Sequence, residues 1–146
     1  MRFPFGLRGL AAAGAICLLA TTPAQAGSLQ ALVQDKNGKP LPDAIVFLES
    51  TEAKAAAKPL KGIEIAQVAR QFTPAVTVVT PGTSVLFPNQ DTVRHHVYSF
   101  SPAKTFELKL YSGVPANPVV FDKAGVAVLG CNIHDKMSAH IVVVDT

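Results

Sequence analysis

From residue 63 onward, apolar and polar positions alternate in short runs rather than at helical spacing. Thr105–Tyr111 is the cleanest of these, with Phe106, Leu108 and Leu110 on one face and Glu107 and Lys109 on the other, the period of a half-buried strand. Ala75–Thr80, Ser84–Phe87, Val93–Phe100, Val119–Phe121, Val126–Cys131 and Ala139–Val144 read as further strands, and Pro81-Gly82 splits the first two. Ile63 and Ile65 open one more extended piece that ends near Phe72-Thr73-Pro74. Upstream, Leu29–Val33 and Ala44–Leu48 read as strands on either side of Asp35–Pro40, whose Asn37-Gly38 pair is a hairpin signal. Glu52–Lys61, rich in Ala and Lys and broken by Pro59, reads as a turn or two of peripheral helix or an exposed loop. Short strands at this spacing, with no internal repeat and no long amphipathic helix, predict an all-β sandwich or barrel of about 7–9 strands.

The first residues do not share that pattern. Met1–Arg8 carries Arg2 and Arg8 and no acid, Gly9–Leu19 is an apolar run, and Ala24-Gln25-Ala26 supplies small residues around a cut. A basic start, a short apolar run and an A-x-A end predict a secretory signal peptide over 1–26 and a single exported domain over 27–146. The apolar run falls short of the roughly 20 residues that a membrane span needs, so no stable membrane insertion is expected. The whole chain has 13 basic and 10 acidic residues, but two of the basic ones leave with the signal. What remains is nearly neutral and has no basic cluster, which argues against a nucleic-acid partner. Cys17 also leaves, so Cys131 stands alone in an oxidising compartment, where a free thiol is oxidised unless it is buried or tied up.

Its neighbours give that thiol a role. Gly130-Cys131-Asn132-Ile133-His134-Asp135-Lys136-Met137 offers a thiolate, an imidazole and a thioether at the spacing C-x-x-H-x-x-M, in one loop between two strands. A second imidazole comes from Arg94-His95-His96-Val97 on an earlier strand. Two His and one Cys in a plane, with a weak axial Met, form the donor set of blue-copper sites: the sulfur ligands favour Cu(I), and imidazole suits both oxidation states. A single loop His is usually solvated and a single strand Met is usually core. Met137 shares its parity with Ala139, Ile141 and Val143, as a core Met also does. The combined spacing, not any one residue, carries the reading.

Pro81-Gly82-Thr83-Ser84-Val85-Leu86-Phe87-Pro88-Asn89, then His95 and Val97, then the C-x-x-H-x-x-M loop, resemble the plastocyanin, pseudoazurin and amicyanin group of cupredoxins over Phe72–Val144. The loop spacing matches the short amicyanin pattern. In overall appearance the chain is similar to the small bacterial periplasmic plastocyanin-like proteins labelled methylamine utilisation proteins. The resemblance implies a Greek-key β-sandwich holding one mononuclear type 1 copper ion on His95, Cys131, His134 and Met137. Aligning His95-His96-Val97 with the family's His-Asn-Val makes His95 the ligand, with His96 as the alternative. In the family that Asn ties the ligand strand to the residue after the Cys, which here implies a hydrogen bond between His96 and Asn132 beside the ligands. His134 becomes the ligand nearest the surface and the electron exit. Leu29–Ser50 resembles instead the opening hairpin of transthyretin-like or carboxypeptidase regulatory modules, carrying Asp35-x-x-Gly38-Lys39-Pro40-Leu41-x-Asp43-Ala44.

Four protein ligands leave no open position for a substrate, and no nucleophile–base pair or phosphate-binding loop is in sight. The expectation is therefore not an enzyme, with no catalytic residue, but a monomeric periplasmic blue-copper protein. It would shuttle single electrons between redox partners such as c-type cytochromes or a dehydrogenase. The alternative is a copper-binding module for delivery, buffering or sensing. His140 reads as a surface residue and Tyr98 and Phe100 as core aromatics; Asp91, Arg94 and Asp135 stand close enough in sequence to tune the charge of the site but read first as solvated loop charges.

Overall fold

The valine-rich runs after residue 75 pair with one another and form the body of the fold. The computed structural model describes residues 28–146, so the signal-peptide expectation for 1–26 lies outside the described residues. The chain divides into Met1–Ala31, of which only the exposed stretch 28–31 is described, and Leu32–Thr146. In the second unit the order is α1 (Thr51–Ala56), β1 (Ile63–Glu64), β2 (Ala66–Val68), β3 (Gln71–Thr73), β4 (Val76–Val79), β5 (Thr83–Leu86), β6 (His95–Ser101), β7 (Lys104–Tyr111), β8 (Val119–Phe121), β9 (Gly125–Gly130) and β10 (Ser138–Val143).

One sheet has the order β1-β5-β8 and the other β4-β10-β9-β6-β7, while β2 and β3 form a separate hairpin. The two sheets make a β-sandwich. β4 runs parallel to β10, whereas β10–β9, β9–β6 and β6–β7 are antiparallel. Alternation sorts each strand: in β10, Ala139, Ile141 and Val143 are buried while Ser138 and His140 are exposed. The core joins Val85, Phe87 and Phe121 of one side to Val97, Leu129, Ile141 and Val143 of the other. Phe106 lies against both Phe87 and Phe121, with ring centroids 5.6 and 5.9 Å apart.

Several sequence expectations need correction. Ala44–Leu48 is not a strand, and Val46, Phe47 and Leu48 are each more than half exposed. A β-prone apolar run becomes a strand only when a sheet edge offers it backbone partners, and no described strand pairs with this one. Leu29–Val33 is not a strand either. The turn beside it does form, with Gly38 at a positive φ of 79° and a single bridge between Gln34 and Pro40. The extended piece from Ile63 divides into three strands: β1 pairs with β5 and β2 with β3, and the chain reverses between the last two at Ala69-Arg70. Phe100 faces outward and is 75% exposed, and the half-buried Tyr98 packs on it outside the core cluster, so neither is a core aromatic. The inward run of β7 also breaks after Leu108: a bulge opposite His95–Val97 pairs His95 with Tyr111, and Tyr111 rather than Leu110 packs on the core.

Candidate metal centre

Two elements carry the chemistry-bearing side chains. β6 begins with His95, and the seven residues between Gly130 of β9 and Ser138 of β10 carry Cys131, His134 and Met137. Pairing of Tyr98 with Gly130 lays the start of that loop beside β6. The Tyr98 ring crosses Gly130 so closely that a Cβ there would stand 2.7 Å from it. The loop then tightens on itself, with Met137 N–H donating to the His134 carbonyl at 2.9 Å.

His95 Nδ1 lies 3.9 Å from Cys131 Sγ, and His134 Nδ1 lies 3.8 Å from the same sulfur. The donor atoms of these three residues all fall within 4.8 Å of one another. The two imidazoles meet edge to face, with centroids 4.9 Å apart. His95, Cys131 and Met137 are buried, and His134 is half-buried beside the exposed Ile133. Met137 lies on the inward face of β10's approach, as its parity requires.

His96 is buried too: it shares the outward face of β6 with Tyr98 and Phe100, where the Tyr98 ring and Glu107 cover it. The expected hydrogen bond from His96 to Asn132 is not made among the described residues. His96 Nε2 lies 2.9 Å from Glu107 Oε1, a distance that supports attraction when the ring is protonated but is out of line for a hydrogen bond. The ring lies against Tyr98, at a centroid distance of 5.4 Å, and Asn132 only shares a cavity with it. His140 is exposed, away from the cluster.

Asp91 is not the solvated loop charge that the sequence favoured. Its Oδ2 lies 2.7 Å from His95 Nε2. Burial pushes its carboxyl up, but hydrogen bonds from Arg70 N–H, His95 and Ala69 N–H outweigh that and hold it below the ordinary carboxylate value. Nothing in the spacing of Asp91 from Ala69 and Arg70 announces this contact.

Behind the cluster, Gln67 Nε2 donates to Tyr111 Oη at 2.5 Å and to the Phe87 carbonyl at 2.9 Å, and Tyr111 Oη donates to that carbonyl at 2.5 Å. Burial pushes the Tyr111 hydroxyl up to about 12; Gln67 opposes this and the Cys131 charge adds to it. The fold therefore holds the proton more tightly than the unfolded chain does. The stability this lends is complete below the ordinary value of 10.0 and is lost as pH rises toward about 12. In denaturation measured across that interval, the wild type is expected to lose stability more steeply than Tyr111→Phe. At neutral pH the variant is expected to be less stable by about 1–3 kcal/mol, the net worth of the two hydrogen bonds its hydroxyl makes.

No protein-family model matches the chain, and no curated protein matches it. Solved structures do match. A purple cupredoxin from Nitrosopumilus maritimus aligns with a TM-score of 0.50 and 21% identity, over 57% of this chain and 100% of that one. A reduced, copper(I) form of an amicyanin variant aligns with a TM-score of 0.52 and 18% identity, over 62% of this chain and 89% of that one. The chain has a cupredoxin fold. A copper-containing nitrite reductase from Thermus scotoductus SA-01 aligns with a TM-score of 0.52 and 22% identity over 66% of this chain, but over only 27% of its own length.

Within this cupredoxin fold the donor set can be tested against a metal. Two donors held about 2.0–2.3 Å from one centre at trigonal angles lie about 3.7 Å apart, close to the 3.8 and 3.9 Å separations from Cys131 Sγ. A thiolate between two imidazole nitrogens is also the ligand chemistry of a blue-copper centre. The His95, Cys131 and His134 cluster thus fits one type 1 copper site.

Proposed function

We propose that the protein is a periplasmic type 1 copper protein that carries single electrons between redox partners. His95, Cys131 and His134 are the equatorial ligands and Met137 is the weak axial one. The observation that carries this reading is the buried thiol with two imidazole Nδ1 atoms at 3.8 and 3.9 Å. When bound, copper supplies a one-electron Cu(II)/Cu(I) couple. The protein's part is to keep the donors in place while the charge changes. His95 is fixed at the start of a sheet strand, Cys131 is packed in the core, and the Cys131–Met137 loop is pinned at both ends by β9 and β10. A rigid, largely buried site suits a carrier because little has to move between oxidation states.

His134 is the half-buried member of the set, with Ile133 exposed beside it, and it is the proposed electron exit. The near-neutral exported part favours brief, mainly apolar contact with partners such as c-type cytochromes or a dehydrogenase. Export rests on the basic, apolar and A-x-A pattern of residues 1–26. No helix of the described residues is long and apolar enough to cross a membrane.

The test is to load the purified protein with Cu(II), record visible and electron paramagnetic resonance spectra, and measure the potential by voltammetry. An intense blue band, a narrow copper hyperfine splitting and a reversible one-electron wave are expected. A colourless complex that gives up its copper readily to a chelator in both oxidation states would overturn the carrier and favour copper delivery or buffering.

A further inference from the structure

Asp91 precedes β6 and is held from several sides. Its Oδ2 accepts from His95 Nε2 at 2.7 Å and from Arg70 N–H at 2.9 Å, and its Oδ1 accepts from Ala69 N–H at 2.7 Å. Its own N–H donates to Asn89 Oδ1 at 3.0 Å. Asn89 is buried, and its Nδ2 donates to the carbonyls of Val93 and Tyr111 at 2.9 and 2.8 Å. Ala69 and Arg70 form the reversal between β2 and β3, and both sit in the left-handed region, at φ of 51° and 57°. Two-residue reversals of this kind ordinarily take Asn and Gly, and side chains with a Cβ persist there only when their surroundings over-determine the conformation. The Asp91 carboxylate does so by accepting both turn N–H groups.

We propose that Asp91, clamped by the Ala69-Arg70 turn, is a positioning residue that fixes the His95 tautomer and lowers the reduction potential of the copper site. This rests on the type 1 copper reading above. A carboxylate can only accept, so Nε2 of His95 carries the proton and Nδ1 presents its lone pair toward Cys131. A histidine ligand whose other nitrogen donates to a carboxylate is a more basic ligand. The added electron density and the fixed negative charge stabilise Cu(II) more than Cu(I). The β2–β3 hairpin thereby belongs to the site, although none of its side chains ligates.

The experiment uses the full chain in two arms. In the first, the copper-loaded wild type and Asp91→Asn are compared by voltammetry, with the visible spectrum recorded alongside. The blue band is expected to persist. The ratio of Cu(II) to Cu(I) affinity is expected to fall about tenfold, the lower end for loss of such a partner, which raises a one-electron potential by about 59 mV. An intact blue band with an unshifted potential overturns the proposal. In the second arm, nitrogen-15 NMR of the metal-free wild type reads the His95 tautomer directly, so the outcome stands even where the variant fails to fold. A protonated Nε2 supports the proposal and a protonated Nδ1 overturns it. A wild type without the blue band sinks the copper reading instead, and the tautomer arm still decides whether Asp91 orients His95.

Discussion

Cys131→Ala is expected to abolish the intense visible absorption of the copper-loaded protein and to weaken Cu(I) binding by more than about 100-fold, beyond the range for partners that merely support a ligand. The band arises from charge transfer between thiolate and Cu(II), and Cys131 is the only cysteine among the described residues. What is left after the substitution is two imidazoles and a thioether, a set without an anionic donor. The fold itself should be little disturbed. Cys131 behaves in packing as a small buried hydrophobe, and Ala removes one atom from its place. The visible spectrum, a Cu(I) competition titration and a thermal melt of the metal-free variant together check this. A variant that keeps its colour would exclude thiolate ligation outright.

Phe87→Ala carries the largest expected stability effect, about 3–5 kcal/mol. Phe87 is fully buried and stacks on Phe106, which in turn meets Phe121 edge-on. Its removal opens a cavity between the two sheets where neighbouring strands cannot collapse freely. Since domains of this size are stable by roughly 5–15 kcal/mol, a fifth or more of the total is at stake. Urea denaturation of the metal-free variant reads the loss. A change below about 1 kcal/mol would mean that the three phenylalanines do not form one packed unit.

These two residues were legible to different degrees. Cys131 stood out because its meaning lies in local spacing: a thiol, an imidazole and a thioether within seven residues form a pattern whatever the fold. Phe87 could be placed on a strand but not against Phe106, because cross-sheet neighbours depend on how the sheets stack. β4–β10 were readable from alternation and from Gly and Pro punctuation. Ala44–Leu48 carries the same apolar character and pairs with nothing, since composition describes a strand's faces and not its hydrogen-bonding edge. The reversal at Ala69-Arg70 was invisible because neither residue is a turn former. Asp91 stood out only as a charge near the site; its clamp was invisible, because those partners lie 22 and 21 residues away. The bulge in β7 opposite His96 had no signature either, and His96 faces Glu107 rather than Asn132.

β10 follows all the other strands in the chain and yet lies inside its sheet, hydrogen-bonded to β4 on one side and β9 on the other. A chain emerging N-terminus first, from a ribosome or a membrane pore, holds the flanking strands apart until Ser138–Val143 arrives to join them. The same arrival closes the loop that carries Cys131, His134 and Met137. Completion of the sandwich and assembly of the metal-binding pocket are therefore one event, and a partly emerged chain has neither a finished core nor a place to trap metal prematurely.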